Sequence, residues 1–228
     1  MRVLVFTAHT HWKPHYETDL EIIQRHLDDG DEVVHLHCDA DLPACDTNPN
    51  HDMAICRKCI EIRKAGISLL FPRVPSSSFL NLSQSNKLEL ASVQKTFATI
   101  AELKSFYIEE FDIGMAVLSS IISVTRDPEP DLSVLGDMVS RFVVAALSVY
   151  RSLQNYLDEN PVARVYVFNG RFAPVRAVLR ACRSRGVNCY VHERGHDIHH
   201  YAVDKNTTQH DLAYMQQQIR GQWERDRA

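Results

Sequence analysis

A strand, a helix and a second strand follow one another within the first 38 residues, and that order constrains the fold more than anything else in the chain. "RVLVFTAH" (2–9) is a short apolar run that ends in a polar loop, the pattern of a buried strand. In "YETDLEIIQRHLDDG" (16–30), Leu20, Ile23 and Leu27 share one helical face, acidic residues open the helix and Gly30 is a stop signal. "DEVVHLHC" (31–38) is the second strand. A strand–helix–strand unit of this length opens a parallel α/β sheet.

The rhythm returns near the end: "ARVYVFNG" (163–170) as strand, "PVRAVLRACRSRG" (174–186) as helix and "VNCYVHERG" (187–195) as strand. Between the two halves, "GISLLF" (66–71) is expected to be a third strand and "PSSSFLNLSQSN" (75–86) a loop. Helical patterns follow near 87–106, 113–125 and 132–158. In the last of these, Leu135, Met138, Val139, Phe142, Ala146, Tyr150, Leu153 and Leu157 recur at core-facing spacing. The expected architecture is one Rossmann-like, doubly wound α/β domain over 1–205. It carries a cysteine-rich insertion (38–63) and a helical insertion (84–158), and a linker-like terminal helix occupies 206–228.

Lys plus Arg number 25 against 29 Asp plus Glu, a net charge of −4. That balance argues against a nucleic-acid partner, which a basic face would announce. No apolar run approaches the roughly 20 residues of a membrane span. The opening "MRVLVF" turns polar at once and reads as a strand and not a signal peptide. A cytoplasmic chain with reduced thiols is the expectation, and clustered cysteines there point to metal or redox chemistry.

Four of the six cysteines fall in "CDADLPACDTNPNHDMAICRKC" (38–59), spaced C-x6-C-x10-C-x2-C. Cys38, Cys45, Cys56 and Cys59 can close a tetrahedral structural Zn²⁺ site or hold an iron–sulfur cluster, with His51 as a substitute ligand. A segment rich in Asp, Asn and Pro cannot order itself by burial, so a metal would do it. A redox dithiol at Cys56 and Cys59 is a further reading, and incidental thiols are another. Cys182 and Cys189 read as small buried hydrophobes.

In open parallel sheets, ligands bind beyond the carboxyl ends of the strands. Three such ends are unusually polar: "HTHWKPHYETD" with His9, His11, His15, Glu17 and Asp19; "NGR" at Asn169, Gly170 and Arg171; and "HERGH" from His192 through Glu193, Arg194 and Gly195 to His196. A histidine there can serve as a base near neutral pH, a carboxylate can orient it or bind sugar hydroxyls, and the arginines can pair with phosphate or carboxylate. Each residue also has a plain explanation, since Asn-Gly makes turns and Glu-Arg makes ion pairs. Three loops brought together by topology argue for a site.

The blocks "HYETDLEIIQRHLDDGDEV" with the cysteine segment, "FDIGMAVLSSIISVTRDPEPDL", "VYVFNGRFAPVRAVLRACRSRGVNCYVHERG" and "NTTQHD" together resemble the amino-terminal part of glycosyltransferase-like proteins of bacterial capsule and surface-polysaccharide gene clusters. The resemblance implies one half of a two-domain GT-B arrangement. The amino-terminal domain then carries much of the site for a sugar or glycan acceptor, and a carboxy-terminal domain binds the nucleotide-sugar donor. Here the chain stops in what reads as the linker helix, so the expectation is either that the sequence is a fragment or that a separate partner chain supplies the donor domain. The location implied is cytoplasmic, extending to the periphery of the inner membrane. His15 is expected to be the base, with Glu17 orienting it. His11, Asp19, Asn169, Gly170, Arg171, Glu193, Arg194 and Gly195 are expected to bind substrate. A non-catalytic, metal-stabilised sugar- or partner-binding module and an iron–sulfur redox protein are the alternatives.

Overall fold

The protein, as a computed structural model, is described over residues 1–197, 199–208 and 210–227. The elements run β1 (Arg2–Thr7), α1 (His15–Asp28), β2 (Glu32–His37), α2 (Met53–Ile67), β3 (Ser76–Ser78), α3 (Gln84–Ser92), α4 (Ile100–Lys104) and α5 (Ile113–Thr125). They continue with α6 (Gly136–Glu159), β4 (Arg164–Phe168), α7 (Ala173–Ser184), β5 (Asn188–Arg194), β6 (Tyr201–Lys205) and α8 (Leu212–Asp226). The six strands form one sheet in the order β3-β2-β1-β4-β5-β6, parallel except for β6.

Strand β1 lies at the centre, with Val5 opposite His35 of β2 on one side and Tyr166 of β4 on the other. Its side chains alternate between two cores. Leu4 and Phe6, with Leu36, Val165, Val167 and Val191, face the larger core built with α5, α6 and α7. Val3 and Val5, with Val33 and Tyr166, face a smaller one closed by Ile22 and Ile23 of α1. Burial on both faces is why β1 reads as an unbroken apolar run, and it is the signature of a parallel sheet wrapped by helices. Helix α6 is buried nearly all round: Val139, Phe142, Val143, Ala146, Leu147, Tyr150 and Leu153 are each at most 2% exposed.

Two strand expectations change. Residues 66–71 are not a strand: α2 runs to Ile67, and Leu69 and Phe71 are 81% and 82% exposed in the turn that follows. The third strand is Ser76–Ser78, inside the stretch expected to be a loop. It carries no apolar residue. It joins the edge because Ser76 hydrogen-bonds the His35 and His37 rings and Ser78 donates to Asp41 (2.6 Å), alongside the backbone ladder.

The cysteine segment occupies the β2–α2 connection and the first turns of α2, within an ordinary parallel crossover. The helical segment 84–158 holds α3 to α6, and its expected first helix is two short ones separated by residues 93–99. The sheet also gains β6, an antiparallel edge strand that no sequence pattern announced. Its outward charges, Asp204 and Lys205, suit an edge open to solvent. Among the described residues no helix is long and apolar enough to cross a membrane.

Candidate functional site at the strand switch point

Strand order reverses between β1 and β4, so the loops leaving these two strands flank the crevice where such sheets bind ligands. His15 opens α1 after the first loop, and its ring stacks on Phe168, the last residue of β4, with centroids 3.8 Å apart. Its Nε2 lies 3.8 Å from Oε1 of Glu193 on β5, just beyond hydrogen-bond reach. Asn169 donates to Oε2 of the same carboxylate (2.6 Å), and His210 Nε2 stands 3.9 Å from it. His15, Asn169 and His210 thus converge on Glu193 from three separate loops.

The Asn169–Gly170 pair aims this group. Both residues are left-handed, with φ of 63° and 65°, a conformation open to Asn and Gly. The turn lets Asn169 Oδ1 accept the Arg171 amide (3.0 Å) while its amide group reaches Glu193. A Cβ on Gly170 would press on Val191 and Thr208 at 3.1 Å. Burial lowers the His15 pKa, and the Glu193 charge only partly offsets this. A neutral imidazole beside a carboxylate is able to accept a proton.

Arg171 lines a neighbouring recess with His210. There a cavity of about 410 Å³ is lined by Arg171, Arg176, Arg180 and Arg183, with His210 and Asp211. Asp112 holds Arg176 and Arg180 in two forks. Burial opposes its charge, yet those hydrogen bonds keep its carboxyl down at about 2. Arg171 and Arg183 make no carboxylate pair among the described residues, and Arg171 lies over the Phe172 ring (4.5 Å). Four guanidiniums facing two carboxylates make this cavity suited to an anion.

Other expected site residues lie elsewhere. Glu17 is exposed and lines a recess with Arg194, His200 and Tyr201, so Glu193, not Glu17, is the carboxylate beside His15. Gly195 closes the β5–β6 connection through its amide to the His200 carbonyl (2.8 Å). His11 is tied by Nε2 to the Ile55 carbonyl (3.2 Å) and opens on a second cavity of about 460 Å³ with Trp12, Asp46 and Arg126. His51 hydrogen-bonds the Leu42 carbonyl (2.6 Å).

Asp19, expected to bind substrate, is buried, and both its oxygens are taken: Thr7 Oγ1 and His192 Nε2 each lie 2.7 Å away. It is a positioning residue beneath the crevice. The chain of bonds behind it has one consistent direction. Arg63 can only donate, so His37 Nε2 accepts and its Nδ1–H donates to Ser76. Ser76 donates to His35 Nδ1, His35 Nε2–H to Thr7 (3.0 Å), and Thr7 to Asp19. That assignment needs His35 and His37 neutral. Burial first, then neighbouring positive charge, lowers their pKa to about 3 and about 4.

Sequence reasoning noted His9 at a polar strand end without giving it a role and passed over Asp46; both are over nine-tenths buried, and their side-chain polar atoms have no partner among the described residues. Burial lowers His9 to about 3 and raises Asp46 to about 7. The only available signal was the place of His9 at the polar end of β1.

These shifts set the acid response. Between the folded values near 3 to 4 and 6.5, the unfolded chain binds protons that His9, His35 and His37 refuse in the native state. Stability from these histidines is therefore complete above 6.5 and lost as pH falls. Asp46 acts in the opposite sense across the same window. Three against one leaves a net approaching two protons near pH 5, where the slope reaches about 2.7 kcal/mol per pH unit, and much less at pH 7. Urea denaturation at a series of pH values from about 7 down to about 5 is expected to show that decline; a flat profile would mean the histidines are not held neutral.

Among the described residues, the one group of three His, Cys, Asp or Glu ligand atoms mutually within 4.8 Å is His196, Asp197 and His200. It sits in the loop between β5 and β6 with both histidines exposed, and the Asp197 contacts to His196 (3.1 Å) and His200 (2.8 Å) account for it. Against known proteins, no family model, curated protein or solved structure matches the chain.

Proposed function

We propose that this chain is the acceptor-handling half of a sugar transferase for bacterial capsule or surface-polysaccharide assembly. In this reading a second domain or a partner chain, in a GT-B arrangement, brings the nucleotide-sugar donor. The observation that carries it is the convergence of His15, Asn169 and Glu193 at the switch point of the sheet. His15 takes the proton of an acceptor hydroxyl, Glu193 steadies the imidazolium that forms, and Asn169 fixes the carboxylate. The arginine-lined cavity beside them accommodates a phosphate or carboxylate on the acceptor or the incoming donor. An uncovered apolar stripe on α8 (Leu212, Met215, Ile219 and Trp223) is consistent with packing against that second domain.

The test compares the unaltered chain with Glu193→Gln and His15→Ala, each combined with the donor-domain protein, using glycan and lipid-linked acceptors. Sugar transfer is expected to fall about 10²–10³-fold in both variants, the range of a lost general base, with acceptor binding changed only a few-fold. Transfer unchanged by His15→Ala would remove the assignment. Glycan binding with no turnover in any combination would favour the non-catalytic binding module.

A further inference from the structure

We infer that the arginine-lined cavity beside the crevice is a site for a phosphoryl dianion, the phosphate of a phosphorylated sugar or the diphosphate of a nucleotide. The inference rests on the proposed transferase only for the molecule that carries the phosphate. The site itself stands on its own residues.

The stretch "RFAPVRAVLRACR" (171–183) repeats arginine at 176, 180 and 183, which is one face of α7, and sets Arg171 two residues ahead of the helix. Ala177, Val178, Ala181 and Cys182 are buried, so the packing of α7 turns its arginines away from the core together. Asp112, just before α5, then fixes two of them. Arg176 and Arg180 each give it Nε and Nη2, so one carboxylate holds both guanidiniums side by side. Both side chains are 19% exposed, and the Nη1 group of each has no partner among the described residues. A guanidinium already held in place loses less rotamer freedom when a ligand binds.

Charge decides the class of ligand. The Asp112 carboxyl stays ionised despite its burial, and bonds from the Tyr214 amide and the Thr207 hydroxyl lower the pKa of Asp211. Against the four arginines these two carboxylates leave an excess of two positive charges. His210 adds none, because burial first and then Arg171 lower its pKa. A carboxylate ligand brings one charge and two coplanar oxygens, which a single guanidinium fork satisfies. A phosphate monoester brings about −1.5 to −2 and three acceptor oxygens, which match the excess and reach more than one arginine. The volume of about 410 Å³ falls in the range of about 300–1,000 Å³ found for small-molecule sites.

The cavity is also tied to the crevice. Arg171 is two residues from Asn169, a chain reach of about 7 Å, and Asn169 holds Glu193. His210 lines the cavity and stands 3.9 Å from the same carboxylate. In the proposed reaction, a sugar that offers a hydroxyl to His15 therefore has a phosphate-binding wall beside it.

Titration calorimetry of the full chain at about pH 8, where phosphate is dianionic, is the test. Inorganic phosphate, a hexose phosphate and uridine diphosphate are compared with acetate at matched ionic strength. Each phosphate compound is expected to bind at least about tenfold more tightly than acetate. Arg171→Ala combined with Arg183→Ala is expected to weaken phosphate binding at least about tenfold. Arg57→Ala with Lys58→Ala removes two exposed charges from α2 and is expected to change it less than about twofold. If the double arginine variant does not fold, Arg183→Ala alone, exposed in the last turn of α7, replaces it, with a loss of about threefold or more expected. Acetate bound as tightly as phosphate, no saturable phosphate binding at millimolar concentration, or phosphate affinity unchanged in a folded arginine variant would each overturn the inference. Tighter binding of the hexose phosphate than of uridine diphosphate supports a phosphorylated acceptor as the source, and the reverse order a nucleotide donor. Phosphate binding without sugar transfer would leave this site in place and remove the transferase; transfer without phosphate binding would do the opposite.

Discussion

Replacing Asp19 with alanine is expected to cost about 3–5 kcal/mol, lowering the melting temperature by roughly 10 °C for a chain of this size. Asp19 is 2% exposed and takes two short hydrogen bonds, from the Thr7 hydroxyl and from His192 Nε2. Its removal strands both donors in the interior. His192 suffers most, because its Nδ1 is already buried with no partner among the described residues. Each unsatisfied buried group costs about 1–3 kcal/mol. Asp19→Asn keeps the volume and one acceptor oxygen but turns an amide toward the other donor, so an intermediate loss is expected. Thermal and urea denaturation of the three proteins measure this, and a melting point for Asp19→Ala within about 2 °C of the unaltered chain would show that the bonds contribute little.

Gly114→Ala is expected to be about as damaging, for a steric reason. An added Cβ would stand 1.6 Å from the Leu103 carbonyl oxygen and 2.8 Å from its carbon. The obstacle is backbone at the end of α4, not a side chain that can swing away. Gly114 also donates its amide to the Phe106 carbonyl (3.0 Å), which holds the two helices at this crossing. Relief requires moving α4 or the start of α5, and Asp112, which fixes Arg176 and Arg180, lies two residues upstream. Overpacking ordinarily costs about 1–3 kcal/mol; a clash with backbone belongs at or above the top of that range. Gly136→Ala is the control, since a Cβ there meets nothing within 4 Å, and a change within about 1 kcal/mol is expected. Equal melting points for the two variants would refute the crossing as a tight contact.

How well each element could be foreseen follows from what holds it in place. β1 and β4 are buried on both faces, so their apolar runs carry the assignment. Helix α6 is legible because its long apolar stripe faces the larger core. "GISLLF" misleads because Leu69 and Phe71 look like core and instead sit in solvent beyond α2, while only Leu70 of its last three residues is buried. β3 is illegible for the opposite reason: three serines have no hydrophobic signal, and their partners are histidines about 40 residues away.

The crevice was legible at the level of loops, since topology alone brings strand ends together. Which carboxylate faces His15 was not. Glu17 is two residues away in sequence and Glu193 is on another strand, and only the packing of α1 over β4 and β5 decides between them. The Asp19–His192 bond, joining residues 173 positions apart, leaves no trace in local pattern.

The bonds beneath the sheet have one more consequence. Their far end is a guanidinium, which donates hydrogen bonds but does not give up a proton, so the row from Arg63 to Asp19 is a dead end for charge. It insulates where it might have conducted. In the proposed reaction, a proton taken up at His15 therefore gains no exit along this row.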